Sequence, residues 1–307
     1  MVLEVNVNSW SAFRDYISEN VSYTDDLIFR GQRDSSWVVE STLTRLTRDN
    51  SVPFKTEYFE EYQLSRFKKN LVGLRGTNPK DLNNNELWEL GQHYGLATPF
   101  TDWTYSPYIA AYFAFHDRTP SSTGFRTVYL MNSSDVFTRH KDRVDLENLN
   151  NKGIKPPRDL EFEVIDSLLD ENHRVKSQSG LFLKIKTGVS LEAWLGAQDI
   201  NAHFVKINIP EKSRDEAMND FKNMNILTRV LFPDIHGAAL DCNHNITHST
   251  QELLKLIEEF RKETRAFRIL CQLILAKYLR RHPSDLQNES PVETMSYSNS
   301  VLALSIS

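Results

Sequence analysis

A chain of 307 residues with 40% hydrophobic and 25% charged residues has the make-up of a globular protein with a sizeable core, arranged as one large domain or two small ones. Its formal net charge of −5 excludes a globally basic nucleic-acid binder, though not a local basic groove. Two cysteines, Cys242 and Cys271, cannot build a disulfide framework or a cysteine zinc site. The first ten residues carry neither a basic nor an apolar leader, and no stretch approaches the roughly 18 apolar residues of a membrane span, so the expected setting is the cytoplasm, with no membrane partner.

In chain order, Trp10, Phe13 and Tyr16 at helical spacing predict a short helix over 9–19. Leu27-Ile28-Phe29 reads as a short strand ending at Arg30-Gly31, and Trp37-Val38-Val39 as a second one. An amphipathic helix follows over 56–72, closed by Gly73 and Gly76, and another over 85–92, closed by Gly95. Residues 107–115 begin with proline, favoured at a helix start, and continue apolar on nearly every side, which predicts a buried helix. A strand is expected over 127–131 and a polar surface excursion over 133–157. Strands over 181–186 and 203–209, a helix over 211–223 and a turn at Pro233-Asp234 complete the larger part. Beyond about residue 249 the composition shifts to two amphipathic helices, 251–260 and 265–281, with a local excess of Lys and Arg, and then to a polar tail over 283–307 that reads as disordered. The resulting division is a domain over 1–245, a helical extension over 246–282 and the tail.

Four segments stand out. They are Phe29-Arg30-Gly31-Gln32; Gln92-His93-Tyr94-Gly95 running through Thr98, Thr101-Asp102-Trp103-Thr104 to Pro107 and Phe113-Ala114; Arg174 to Phe182; and Leu231 to Gly237. Their order and spacing resemble the FRG domain, over roughly residues 8–242. One departure is visible: the family usually has Arg-Leu-Leu-Asp-Trp after threonine, and here Pro99 replaces that arginine.

The FRG domain in turn resembles the ADP-ribosyltransferases. That resemblance implies an α+β fold, a small mixed or antiparallel sheet flanked by helices, with the C-terminal helices added. It also implies NAD as substrate, with Arg30, Asp102 and Gln178 as the catalytic set. Glu163, in the Glu161-Phe162-Glu163 segment, rivals Gln178 for the third place. Nicotinamide–ribose cleavage passes through a cation-like state, so the site must hold the diphosphate and stabilise positive charge, and a guanidinium suits the first task. Arg30, His93, Tyr94, Thr98, Thr101, Trp103 and Thr104 are the residues expected around the dinucleotide. Each also has a structural reading: Arg30 as a buried cation satisfied by Asp102 or carbonyls, His93 as a core histidine, Trp103 as plain core, Gln178 as a strand-end hydrogen-bonder. No histidine cluster has metal spacing, and no P-loop or G-x-S-x-G is present, so no metal is expected.

The first functional reading is an NAD-dependent ADP-ribosyltransferase acting as a toxin or anti-phage effector. Its acceptor would be RNA, DNA or protein, and an antitoxin protein would be its partner. The second is a non-catalytic nucleotide- or protein-binding module.

Overall fold

The computed structural model describes residues 2–22, 26–49, 56–77, 80–151, 161–167, 172–200 and 204–281. Among the described residues the seven strands are β1 (Leu3–Asn6), β2 (Leu27–Gln32), β3 (Phe100–Thr104), β4 (Phe125–Asn132), β5 (Phe162–Asp166), β6 (Gly180–Ile185) and β7 (Phe204–Pro210). The helices are α1 (Trp10–Asn20), α2 (Thr42–Asp49), α3 (Thr56–Asn70), α4 (Asn84–His93), α5 (Pro107–Phe115), α6 (Ser133–Asn151), α7 (His173–Ser177), α8 (Leu191–Gln198), α9 (Arg214–Asn223), α10 (Thr228–Leu231) and α11 (Ile235–Arg281). One sheet holds all seven strands in the order β1-β7-β4-β2-β3-β6-β5. Only β1 and β7 run parallel, so the sheet is mixed and the fold is α+β.

Side chains alternate across a strand, so each strand feeds two cores. On one face Phe29, Val128 and Ile207 pack with Trp10 and Phe13 of α1, the small-residue helix α5 and Phe221 of α9. On the other, Ile28, Trp103, Tyr129, Leu181 and Phe204 pack with Val136 of α6 and with Leu191, Trp194 and Leu195 of α8. A third cluster joins Phe100 and Phe182 to Leu64 of α3 and to Leu87 and Trp88 of α4. Helix ends follow their sequence signals. Ser9 caps α1, Asn83 with Glu86 closes a capping box on α4, and Ser106 caps α5 ahead of Pro107.

Three expectations are corrected. Trp37-Val38-Val39 is not a strand, because its backbone groups are satisfied elsewhere. The Trp37 carbonyl accepts from the Tyr129 hydroxyl at 2.9 Å, the Val38 carbonyl from Gln32, and the Val39 N–H donates to the Glu192 carboxylate. The polar excursion expected over 133–157 is instead helical as far as Asn151. Its apolar stripe is narrow, Val136 and Val144 with buried His140 between them. Pairs at i,i+4 (Arg139–Asp135, Lys141–Asp145, Arg143–Glu147) line the wet face, which masked the helix in the composition.

The described chain divides into two compact units, one ending at Asp241 and the other beginning at Cys242. In place of two helices over 251–260 and 265–281 there is one, α11, since Arg261-Lys262-Glu263-Thr264 contains no Gly or Pro to stop it. The tail over 283–307 lies outside the described residues.

Candidate functional site

The site begins at a fork in the sheet. β2 pairs with β4 over six residues, Leu27 to Gln32, but with β3 at a single pair, Phe29 and Thr104. The three residues of the tripeptide divide the work. Phe29 is buried in the core. Gly31 lets α5 lie against the strand, where a Cβ would stand 1.8 Å from the Ala110 carbonyl oxygen. Arg30, between them, faces the side of its β4 partner Tyr129 and reaches into the opening between β2 and β3. There its Nη1 donates to the Asp102 backbone carbonyl at 2.5 Å, a bond from a side chain where the ladder has lost one from the backbone.

The Arg30 side chain is only 16% exposed, and its Nη1 stands 4.0 Å from the Asp102 carboxylate, which is itself 69% exposed. Arg30 Nε is buried with no hydrogen-bond partner among the described residues. Burial lowers the guanidinium's pKa from its ordinary value, against the pull of the Asp102 charge and with the help of a second cation, Arg45 of α2. An arginine remains protonated through such a shift, so the fork holds a mostly desolvated, under-satisfied positive charge.

Asp102 is held from the other side. Gln92 of α4 donates to its Oδ1 at 2.5 Å and accepts from the hydroxyl of Thr98. Thr98 is fully buried and ties the segment to the start of α2, its N–H donating to the Thr42 hydroxyl and its carbonyl accepting from the Leu43 N–H. Thr101, Trp103 and Thr104 are buried as well. The Trp103 indole donates to the Thr101 hydroxyl at 2.9 Å, and that hydroxyl donates to the Leu183 carbonyl. Thr104 bridges β3 to the Gln178 carbonyl and to the Ser106 N–H. These residues build the frame of the fork, and Arg30 and Asp102 are the charges it presents.

His93 and Tyr94, directly after Gln92, are exposed and meet edge to face at 4.9 Å. Burial lowers the His93 pKa, the Arg174 charge acts in the same direction, and Asp234 opposes them. Arg174 donates through Nε to Asp234 Oδ2 at 2.5 Å and covers the Phe232 ring. Asp234 Oδ1 accepts from the Gly237 N–H, which caps the start of α11. The third and fourth sequence segments therefore dock on each other.

Neither candidate for the third catalytic place joins Arg30. The Gln178 amide donates to the Leu231 carbonyl at 3.0 Å, and Gln178 precedes β6, which enters the sheet with Gly180 opposite Thr104. Glu163 stands on edge strand β5 and accepts from Asn85 of α4. The acid that, besides Asp102, shares Arg30's electrostatic neighbourhood is Glu192 of α8. Its two oxygens accept from the Val39 N–H at 3.0 and 3.1 Å, and burial raises its pKa. It also acts on the buried Tyr129, whose pKa is raised first by burial. Glu192 and Arg45 carried no local signal, because only the packing of α8 and α2 against the sheet brings their charges near Arg30. Gln92 had one, its place in the Gln-His-Tyr-Gly segment. Among the described residues no cluster of three or more His, Cys, Asp or Glu side chains is placed to hold a metal ion, and no helix is long and apolar enough to cross a membrane.

The family model of the FRG domain matches residues 25–123, the stretch that contains Arg30, the fork and α5. The chain thus carries an FRG domain. No curated protein and no solved structure matches it.

Proposed function

We propose that the FRG domain recognises the diphosphate of NAD at Arg30 and transfers ADP-ribose from it. One observation carries the reading: a guanidinium that is nearly buried, bonded to a single carbonyl and left with an orphan Nε, beside an exposed carboxylate. Desolvating a cation is costly unless an anion comes to it, and a guanidinium forks onto phosphate oxygens. Asp102, oriented by Gln92, is the negative charge available to the ribosyl cation as the bond to nicotinamide breaks. Nicotinamide leaves with the bonding electron pair, the acceptor's nucleophile bonds to C1′, and its proton passes to solvent or to a carboxylate. Tyr94 and His93 supply exposed rings for stacking on a base. The setting that fits is a cytoplasmic toxin or anti-phage effector, with RNA, DNA or protein as acceptor and an antitoxin as its restraint.

A second reading, a nucleotide-binding module without turnover, is favoured by one specific feature: Gln178 and Glu163 are both engaged away from Arg30. Calorimetry with NAD, together with nicotinamide release in the presence of RNA, DNA or cell lysate, separates the two. Transfer predicts NAD binding that falls at least about tenfold in Arg30→Ala, the worth of one charged hydrogen bond. It also predicts release that is lost in Asp102→Asn while binding persists. Binding without release in every mixture selects the module, and an absence of NAD binding sinks both.

A further inference from the structure

We infer that α11 beyond Asp241 is the dimerisation element of the protein, pairing with the same helix of a second copy in antiparallel orientation. The first observation is a strict repeat. Ile246, Leu253, Phe260, Phe267 and Ile274 follow one another at seven-residue intervals, with Leu256 and Leu270 three places after two of them. A helix of 3.6 residues per turn keeps such a row on one side only by winding around another helix, so sustained sevens are the mark of a coiled coil.

The second observation is that the described side chains of the row are exposed. Ile246 is 67% exposed, Phe260 69%, Phe267 68% and Ile274 59%, and Leu256 and Leu270 are more than half exposed. Every described side chain from Cys242 to Arg280 is exposed. Long helices in water draw their stability from burying an apolar stripe, and the described residues of its own unit offer this one no cover.

Charge then chooses the partner and its direction. Residues 251–260 carry three Glu and one Lys, while residues 261–281 carry seven Lys or Arg and one Glu. A parallel pair would set the two basic halves side by side. An antiparallel pair centred between Phe260 and Phe267 sets residues 251–260 of each copy, with three Glu and one Lys, opposite residues 267–276 of the other, where Arg268 is the charge. It also separates the three basic residues of 277–281 from their own copies, so reversal relieves the like-charge contacts of a parallel pair. Phe260 and Phe267, on either side of the midpoint of the row, become the centre of the interface.

The test uses the full chain. Sedimentation or light scattering is expected to give twice 35.6 kDa. The double variant Phe260→Glu/Phe267→Glu is expected to halve that mass while near-ultraviolet circular dichroism and the thermal midpoint of the FRG domain stay put, since both side chains are exposed. Orientation is read by oxidation after Cys242→Ser and Cys271→Ser. Leu253→Cys alone is expected not to cross-link, and a mixture of Leu253→Cys with Ile274→Cys is expected to do so. Self-linking of Leu253→Cys overturns the antiparallel arrangement. A monomeric mass, another stoichiometry, a dimer indifferent to the double variant, or a monomer that instead sediments with phosphatidylserine vesicles overturns the inference.

Discussion

Two arginines of the same sheet, buried Arg126 on β4 and half-buried Arg30 on β2, show how a fold distinguishes a structural cation from an available one. Arg126 is fully buried, and every one of its nitrogens is used. Nε and Nη2 grip Glu211 at 2.5 and 2.7 Å, Nη1 donates to the Ala114 and Asp117 carbonyls, and Nη2 donates also to the Thr119 carbonyl. Arg30 is half-buried and, among the described residues, holds one carbonyl, a carboxylate at 4.0 Å and an orphan Nε. The desolvation penalty is similar in kind, yet Arg126 has it offset inside the protein and Arg30 does not. An arginine in the second condition costs stability in the free protein and gains from an anion, which is the balance expected of a binding site.

The contrast is broken most forcefully at Arg126. Arg126→Met strands Glu211 and three carbonyls and is expected to cost about 3–5 kcal/mol, read as a lower urea midpoint at unchanged slope. Arg30→Met should leave stability level or raise it by up to about 1 kcal/mol in the same measurement, because it removes an incompletely paired buried charge. The same substitution should abolish the phosphate-dependent binding that Arg126→Met, assayed below its midpoint, retains. A loss of 3 kcal/mol or more in Arg30→Met, on the order of a severed buried pair, would place the two arginines in one class.

The smallest effect concerns the acid near Arg30. Burial raises the Glu192 pKa above the ordinary carboxylate value, the reverse of the usual acidic case. Its contribution to stability is therefore present below the unfolded value of about 4.3 and is lost as pH rises through the folded value. Glu192→Gln keeps an acceptor for the Val39 N–H and removes that loss. Its stability relative to the parent chain should grow between pH 4 and pH 8. A difference that shrinks over that window would mean that Arg30 or Arg45 holds Glu192 ionised.

Elements with a strong period were legible without coordinates. Helix α5 occupies the residues expected from Pro107 and its all-round apolar run, and α1, α3 and α4 begin within a residue or two of their signals. Strands β1, β3 and β5 were not assigned, since four or five residues of mixed polarity show no period of their own and form strands only where a neighbour offers a ladder. In the fork, Arg30 and Asp102, which come from two separate sequence segments, lie together, while Trp103 is buried with its indole bonded to Thr101. Gln178 was placed by analogy of order along the chain, and its amide is spent on a carbonyl that belongs to a segment 53 residues away.

By itself, the sequence determined the class of fold and the segments, within residues 25–123, that mark the FRG domain. Local spacing encodes periodicity, capping and the need for glycine beside a helix. Only the tertiary structure decided that β2 and β3 part after one pair, that Asp102 turns a carbonyl toward Arg30, and that Glu192 and Arg45 share its field while Gln178 does not. Those outcomes depend on which backbone and side-chain groups are left without a partner once every element has packed, and no window along the chain contains that sum.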